Sequence, residues 1–316
     1  MTCQKFGIAG TFGVPAPAGA AVEGFSDSTH PRIPPRIDDY VFHKDALRNV
    51  LAFLNAPHGG GLLLTGPTGA GKSSLITQIA ARLNWPVHEM TWHGRRELSD
   101  LIGHHAIVKG GEMKYIHGPL AVALRDGHIL LMNEMDLADP SELAGLNGVL
   151  DGMPLVIPEN EDEVVQAHPK FRLVATGNSV GQGDPSGLYQ GVLRQNVAFL
   201  DRFRVVTVDY PSADTEKLIL AKAAPYLAEP LIDAMIKLAN EIRRQFRGDN
   251  GNPSLTVPLS TRGLLTWAHL AGAFKSAPNP LAYAFRQIIL DKVGPSEREG
   301  ITGIARSIFG ESWDKQ

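Results

Sequence analysis

The stretch that decides the fold reads Gly-Leu-Leu-Leu-Thr-Gly-Pro-Thr-Gly-Ala-Gly-Lys-Ser and covers residues 61–73. The apolar run at 62–64 is typical of a short buried strand, and apolar residues recur at helical spacing over 75–83. Between them, residues 66–73 fit the pattern G-x-x-x-x-G-K-[ST], which requires a strand before it and a helix after it. The sequence therefore predicts a loop that binds the phosphates of a nucleoside triphosphate.

The residue types in this loop suit that chemistry. Its glycines allow the backbone to curl so that successive N–H groups point at phosphate oxygens, and the following helix adds its positive N-terminal end. The Lys72 ammonium can reach the β- and γ-phosphates, and the Ser73 hydroxyl can ligate Mg²⁺. The predicted nucleotide-binding residues here are Gly66, Pro67, Thr68, Gly69, Ala70, Gly71, Lys72, Ser73 and Ser74.

Further apolar runs indicate the rest of the architecture. They lie at 129–132, 172–176 and 204–208, with helical stretches between them. Strands that alternate with helices favour an α/β fold with a central parallel sheet flanked by helices. Because strand signals stop near residue 211, we predict an α/β nucleotide-binding domain over 39–211 and an all-helical lid domain over 212–316.

The N-terminal segment has a different composition. Residues 1–38 are rich in glycine, proline, alanine and serine. Proline fixes φ and removes a hydrogen-bond donor, so the segment is predicted to be an extended arm rather than a packed element.

Composition limits the classes of function. The 316 residues are 43% hydrophobic and 20% charged, as in an ordinary globular chain with a sizeable core. The formal net charge of −3 argues against a general electrostatic grip on nucleic acid or anionic membranes. Cys3 is the single cysteine, which fits a reducing compartment. No apolar run approaches the roughly 18 residues that cross a bilayer, and no signal-peptide pattern begins the chain, so we expect a cytoplasmic protein with no membrane partner.

A second polar cluster follows the run His-Ile-Leu-Leu-Met at 128–132. The end of such a strand beside a phosphate-binding loop is the usual place for a magnesium-holding Asp and a water-activating Glu. Glu134 is the candidate general base. The preceding position is Asn133, whose amide accepts a hydrogen bond but brings no negative charge, and Asp136 is one source of the missing charge. The candidate metal residues are Ser73, Asn133 and Glu134.

Three further polar residues complete the candidate site. Asn178 follows the run at 172–176, where it would hold the attacking water or contact the γ-phosphate, although Asn after Gly is also a good turn residue. Arg202 precedes the run at 204–208, and Arg262 opens a helix of the lid domain. Each arginine is, by itself, also compatible with a solvated surface cation.

The glycine-rich loop at 66–73 is followed along the chain by Asn133–Glu134, Asn178, Arg202 and Arg262. This order of motifs resembles that of the AAA+ ATPases, and within them the MoxR-like and dynein-related branch. The resemblance implies that Asn178 is the sensor-1 residue and Arg262 the sensor-2 residue. It implies that Arg202, in the sequence Asp-Arg-Phe, is the arginine finger that acts on the nucleotide of the neighbouring subunit, with Arg204 as the alternative. It further implies ATP and Mg²⁺ as cofactors and a homo-oligomeric ring, expected to be a hexamer.

Within this branch, the chain is similar to the small ATPase subunits of aerobic cobaltochelatases. The similar stretches are Ala80–Pro86, Asp100–Gly111 and Gly181–Gly191. The family usually has Asp at position 133, so Asn133 is a departure that bears on the rate of hydrolysis. The resemblance implies a partner protein with a von Willebrand A domain.

Two segments are predicted to be β-hairpin inserts, at 104–118, which has a Gly-Gly turn, and at 153–169. Six histidines fall between residues 88 and 128 without a metal-ligand spacing, so we assign them to hairpins and loops rather than to a metal site. The cluster Arg243, Arg244 and Arg247 is interpreted as a solvated helix face.

These observations predict an ATP-hydrolysing ring motor that remodels a partner protein. Three alternatives stay open: a cobaltochelatase subunit that drives cobalt insertion into a corrin ring, a weakly hydrolysing nucleotide-gated scaffold, and a nucleic-acid motor. The scaffold alternative rests on Asn133, and the near-neutral charge of the chain disfavours the nucleic-acid motor.

Overall fold

Strands and helices alternate along the first two thirds of the chain in the computed structural model, which describes residues 2–183, 191–248, 253–310 and 313. The strands are β1 (Cys3–Gly7), β2 (Ala21–Phe25), β3 (Gly61–Thr65), β4 (Val87–Thr91), β5 (Gly103–Ile107), β6 (Met113–His117), β7 (Ile129–Asn133), β8 (Leu155–Ile157), β9 (Glu163–Val165), β10 (Arg172–Gly177) and β11 (Phe203–Thr207). The helices are α1 (Ile8–Phe12), α2 (Lys44–Asn55), α3 (Lys72–Arg82), α4 (Ser99–Ile102), α5 (Pro119–Asp126), α6 (Pro140–Ala144), α7 (Asn147–Leu150), α8 (Val197–Leu200), α9 (Ala213–Ala223), α10 (Glu229–Arg247), α11 (Thr261–Ala273), α12 (Pro280–Ile288) and α13 (Pro295–Phe309). Short 3-10 helices cover Met135–Leu137, Pro158–Asn160 and Leu290–Lys292.

The chain divides into two units. Unit 1 comprises Met1–Ile37, Lys44–Gly66 and Lys72–Val208, and unit 2 comprises Asp38–His43, Pro67–Gly71 and Asp209–Gln316. The units differ from the contiguous domains that the sequence suggests, because two short segments of the first part of the chain group with the C-terminal part. Among the described residues, none of the helices combines the length and the apolar character that a membrane span requires.

A five-stranded sheet forms the centre of unit 1. Its order is β11-β3-β10-β7-β4, and every neighbouring pair is parallel. The middle strands are apolar on both faces, as parallel sheets covered by helices require; the runs at 62–64 and 129–132 are at most 1% exposed. Together with the helical C-terminal region, this sheet confirms the predicted α/β fold.

The amphipathic pattern of α2 shows how the helices cover the core of unit 1. Its buried face consists of Ala46, Leu47, Val50, Leu51, Phe53 and Leu54. Burying a leucine or phenylalanine side chain contributes roughly 1.5–3 kcal/mol. This one face therefore stabilises the unit far more than the intrinsic helix propensity of a 12-residue segment does.

The N-terminal segment corrects the sequence-based expectation, because residues 1–38 are not an extended arm. Strands β1 and β2 pair as an antiparallel hairpin. Val22 and Phe25 are 1% exposed, and Phe25 meets Trp85 edge to face with ring centroids 5.5 Å apart. The backbone N–H of Phe25 also donates to the Leu83 carbonyl at 2.9 Å. The prolines, which suggested an open chain, lie outside the two strands.

Two further antiparallel hairpins lie apart from the central sheet. Strands β5 and β6 form one, with a turn at residues 108–112, and β8 and β9 form the other. Neither hairpin adds a strand to the central sheet, so both are insertions in the α/β frame.

Helices α9–α13 make up most of unit 2, and a buried ion pair joins α9 to α10. Arg243 is 3% exposed and Glu216 is fully buried. The Arg243 guanidinium donates to both Glu216 carboxylate oxygens, at 2.7 and 2.9 Å. Glu216 also accepts from the Thr261 hydroxyl at 2.6 Å, which fixes the start of α11. The interpretation of Arg243 as part of a solvated face is therefore wrong, since its partner lies on another helix.

Candidate nucleotide-binding site

The candidate site in unit 1 lies at the carboxyl edge of the sheet, where β3, β7 and β10 end side by side. Gly177 is the register partner of Thr65, and Ala175 is the partner of Met132. The loops that follow these strands therefore leave the sheet at the same edge. Ligands of open α/β sheets bind at this edge.

The first loop leaves β3 in a conformation that only glycine adopts easily. Gly66 has a φ of 143°, and a Cβ atom at this position would lie 2.1 Å from the Val208 carbonyl oxygen. The Lys72 ammonium, at the start of α3, donates to the Gly66 carbonyl at 2.7 Å. The loop therefore curls back on its own lysine, as the phosphate-binding pattern requires.

Asn178 links this lysine to the candidate base. Its Oδ1 accepts from the Lys72 ammonium at 2.9 Å, and its Nδ2 donates to the Glu134 carboxylate at 2.9 Å. The structure thus joins residues that are 106 and 44 positions apart in the chain. Glu134 has a φ of 54°, which is uncommon for any residue other than glycine. Backbone conformations of this kind tend to occur at functional sites.

Asn133 occupies the centre of a second group of polar side chains. Its Oδ1 accepts from the Ser73 hydroxyl at 2.5 Å and from the Thr176 hydroxyl at 3.2 Å, and its Nδ2 donates to the Glu89 carboxylate at 2.7 Å. Hydroxyl, amide and carboxylate oxygens are the donors that Mg²⁺ prefers. The chemistry of this group therefore fits a magnesium-bound nucleotide.

Asp136 uses one of its carboxylate oxygens to hold a loop of its own chain. It is 1% exposed, and its Oδ2 accepts from the backbone N–H groups of Asn178, at 2.7 Å, and Ser179, at 3.1 Å. Its carboxylate fixes the loop that carries Asn178. No described group donates to the other oxygen, Oδ1, so the compensation of Asn133 by Asp136 stays a prediction.

The middle of the glycine-rich loop, residues 67–71, belongs to unit 2. The Tyr210 hydroxyl donates to the Thr68 carbonyl at 2.9 Å, and the Ala70 N–H donates to the Pro67 carbonyl at 3.3 Å. A Cβ atom at Gly69, which has a φ of 71°, would lie 2.5 Å from the Ser260 side chain. A larger residue at position 69 would therefore disturb both the loop and the cap of α11.

Arg262 lies beside the glycine-rich loop, since its Cβ is 3.8 Å from the position that a Cβ atom would take on Gly69. Arg262 is exposed in the first turn of α11, directly after the capping residue Ser260, and Ser74 is exposed in the first turn of α3. Among the described residues, no side-chain hydrogen bond or ion pair holds the Arg262 guanidinium.

Arg202 is not brought to the Lys72–Asn178–Glu134 group within the described chain. Its guanidinium forms a two-point ion pair with Asp151, with both N–O distances at 2.8 Å. The hydrogen bonds from Arg202 hold the pKa of the Asp151 carboxyl below its usual range. The pair keeps the guanidinium ordered and only partly covered, with 29% of its side chain exposed.

Arg204 has a different environment. It donates to the carbonyls of Ala56, at 3.0 Å, and Pro57, at 2.5 Å, and its guanidinium carbon lies 5.8 Å from the centre of the Phe53 ring. These contacts hold the end of α2 against β11. Arg204 therefore has a structural position in its own chain.

One of the clustered histidines, His88, lies in a strand of the central sheet rather than in a hairpin or loop, which corrects the sequence-based assignment for that residue. His88 lies in β4 and His128 precedes β7; they are 1% and 3% exposed, and their ring nitrogens are 3.1 Å apart. Burial lowers the pKa of His88 to about 3 and that of His128 to about 4, so both rings are neutral at neutral pH. Within the described ranges, no group of three or more histidine, cysteine, aspartate or glutamate side chains is arranged to hold a metal ion.

Sequence reasoning missed Glu89 and Asp151. Glu89 is a single carboxylate in a strand whose neighbours are buried, and only this interruption of an apolar pattern signals it. Of the stretches that resemble the cobaltochelatase subunits, residues 184–190 lie outside the described residues.

Comparison with known proteins agrees with this geometry. Residues 61–203 match the AAA domain of the dynein-related subfamily, and residues 216–308 match the CbbQ/NirQ/NorQ C-terminal domain. The chain is 32% identical, over 286 residues, to the aerobic cobaltochelatase subunit CobS of Sinorhizobium sp., covering 88% of this chain and 83% of that protein. It is 31% identical, over 242 residues, to an uncharacterized protein of Staphylococcus haemolyticus, covering 75% of this chain and 86% of that protein.

The glycine-rich loop, the Asn133–Glu134 strand end and Asn178 all lie inside the region that matches the AAA domain, and the helices of unit 2 carry the second match. The AAA match covers the region of the central sheet, and the C-terminal match covers the helical region that follows it in the chain. The chain therefore belongs to the AAA+ ATPases of the dynein-related MoxR/CbbQ group.

Proposed function

We propose that the chain binds ATP with Mg²⁺ at residues 66–73 and hydrolyses it. The observation that carries this proposal is the continuous hydrogen-bonded connection from Lys72 through Asn178 to Glu134. The cation that we propose for the phosphates and the carboxylate that we propose for the attacking water lie on the two sides of one amide. A merely structural loop has no need of that arrangement.

Each side chain has a defined task in this proposal. Lys72 holds the β- and γ-phosphates, and Ser73, with Asn133 beside it, holds the metal. When bound, Mg²⁺ neutralises negative charge on the phosphate oxygens. Glu134 accepts the proton of the attacking water, and Asn178 orients that water or contacts the γ-phosphate.

Replacing Lys72 with alanine tests the proposal. The Lys72→Ala variant is expected to lose ATP binding and phosphate release, because the ammonium that meets the phosphates is gone. The measurements are steady-state phosphate release and equilibrium binding of a fluorescent ATP analogue. Lys222→Ala is the matched control, since Lys222 is an exposed lysine of α9 and is expected to behave as wild type. Unchanged turnover in Lys72→Ala would overturn the proposed site.

We further propose that the active form is a homo-oligomeric ring, a hexamer, in which Arg202 acts on the nucleotide of the neighbouring subunit. The sequence Asp-Arg-Phe around Arg202 and the 29% exposure of its side chain support this choice. Both Arg202 and Arg204 donate to backbone carbonyls of their own chain. Arg262, at the exposed start of α11, is proposed as the lid residue that senses the γ-phosphate.

The work that hydrolysis drives is proposed to be the remodelling of a partner protein that carries a von Willebrand A domain. The β5–β6 hairpin supports a contact of this kind, because it exposes large apolar side chains. Ile107 is 75% exposed, Met113 66% and Ile116 43%. Exposed apolar groups that cluster in this way are typical of protein interaction sites.

A second candidate function is that of an ATPase subunit in a cobaltochelatase complex, which the similarity to the Sinorhizobium subunit favours. Phosphate release distinguishes the two candidates. Stimulation that requires a large partner subunit together with Co²⁺ and a corrin-type tetrapyrrole would favour the chelatase. Stimulation by the partner protein alone would favour a general remodelling ATPase.

A further inference from the structure

The position before the candidate base lacks a charge that magnesium sites normally have nearby. Asn133 accepts hydrogen bonds from Ser73 and Thr176 but is neutral. Asp136 is occupied by the backbone of the following loop. Another carboxylate side chain, in direct hydrogen-bond contact with Asn133, can also supply the charge that balances the metal.

Glu89 is that side chain. Strand β4 is the parallel neighbour of β7, with Glu89 opposite Leu131 and Thr91 opposite Asn133. Across this pairing, the Asn133 Nδ2 donates to the Glu89 Oε1 at 2.7 Å. Glu89 is exposed, so its carboxylate is in contact with solvent as well as with Asn133.

This contact also fixes which way the Asn133 amide faces. With Nδ2 donating to Glu89, Oδ1 must point at the Ser73 hydroxyl, 2.5 Å away. The reverse orientation would place the amide oxygen against the carboxylate, two acceptors with no proton between them. Glu89 therefore holds the oxygen of Asn133 towards the residue that would ligate the metal.

We propose that Glu89 takes over, through Asn133, the charge and the orienting role that an aspartate at position 133 would have, and so sets the affinity of the site for Mg²⁺. This inference rests on the proposed ATPase function. Glu89 acts here as a positioning residue, because its hydrogen bond runs to Asn133 and not to the metal. Outer partners of metal ligands orient those ligands and tune the metal in this way.

The test is a Mg²⁺ titration of the full chain with a fluorescent, non-hydrolysable ATP analogue. The Glu89→Gln variant keeps the size of the side chain and removes its charge. The Mg²⁺ concentration at which the fluorescence change of the bound analogue is half-maximal is expected to rise by roughly 10- to 100-fold. Nucleotide binding in EDTA is expected to stay unchanged. Glu299→Gln, which changes an exposed carboxylate of α13, is the matched control and is expected to leave the titration as in wild type.

An exchange of the two groups gives a second readout that a merely structural role would not produce. Asn133→Asp alone puts two carboxylates in contact, and these repel each other. This single variant is expected to change the half-maximal Mg²⁺ concentration from that of wild type. The double variant Glu89→Gln/Asn133→Asp again has one carboxylate and one amide, with the hydrogen bond reversed. It is expected to return the half-maximal Mg²⁺ concentration to within about threefold of wild type, a margin below 1 kcal/mol.

Two results would overturn the inference while leaving the proposed ATPase intact: an unchanged titration in Glu89→Gln, or a double variant no better than Glu89→Gln alone. A wild-type chain that binds no nucleotide, with or without Mg²⁺, would instead remove the proposed function and the inference with it.

Discussion

Replacing Arg202 with alanine is expected to lower ATP turnover by roughly 10³- to 10⁵-fold while each chain still binds ATP. The guanidinium is proposed to neutralise charge that develops on the γ-phosphate of the neighbouring subunit, so its loss affects the transition state rather than ground-state binding. The ion pair with Asp151 holds the guanidinium in one orientation. A guanidinium that is already ordered loses less conformational entropy when it contacts the nucleotide of the neighbouring subunit.

The measurement is phosphate release at saturating ATP, with nucleotide binding followed separately. Arg244→Ala is the matched control, because Arg244 forms its ion pair with Glu241 on the partly exposed face of α10, and it is expected to keep wild-type turnover. If Arg202→Ala keeps wild-type turnover and a folded Arg204→Ala variant loses it, the finger assignment passes to Arg204.

Replacing Glu134 with glutamine is expected to lower phosphate release by roughly 10²- to 10⁴-fold, with ATP retained. Glutamine has the same shape and still accepts the hydrogen bond that Asn178 donates. It has no carboxylate to take the proton of the attacking water. The change therefore removes the chemical step and leaves the site assembled.

Single-turnover phosphate release, combined with a filter assay for retained ATP, checks this expectation. Glu299→Gln serves again as the control for the loss of one carboxylate. Turnover of Glu134→Gln at the wild-type rate would show that another group activates the water, and loss of ATP binding would show that Glu134 holds the nucleotide instead.

Much of the fold could be predicted because its signals are local in the sequence. The apolar runs at 62–64, 129–132 and 172–176 mark buried strands, and a parallel sheet brings the polar residues that follow them to one edge. The hydrogen bonds from Asn178 to Lys72 and Glu134 are a direct consequence of that geometry.

The features that the sequence did not reveal depend on pairings between distant residues. Glu89 contacts Asn133 only because β4 is the neighbour of β7, and no local pattern states the strand order. Arg243, Arg244 and Arg247 have the spacing of a solvated helix face, yet the Arg243 guanidinium is buried in unit 2, where the Glu216 carboxylate of α9 balances its charge. In the first 38 residues, the proline content led to the prediction of an extended arm. The prolines lie outside the strands, and β2 buries three of its five residues.

Mixing two inactive variants is the most direct test of the central claim that ATP is cleaved at residues 66–73 with help from a neighbouring subunit. Lys72→Ala subunits have no working loop but keep Arg202, and Arg202→Ala subunits keep the loop. The account predicts that phosphate release reappears when the two are mixed and allowed to exchange subunits. Mixtures that exchange subunits and yet release no more phosphate than either variant alone would contradict it.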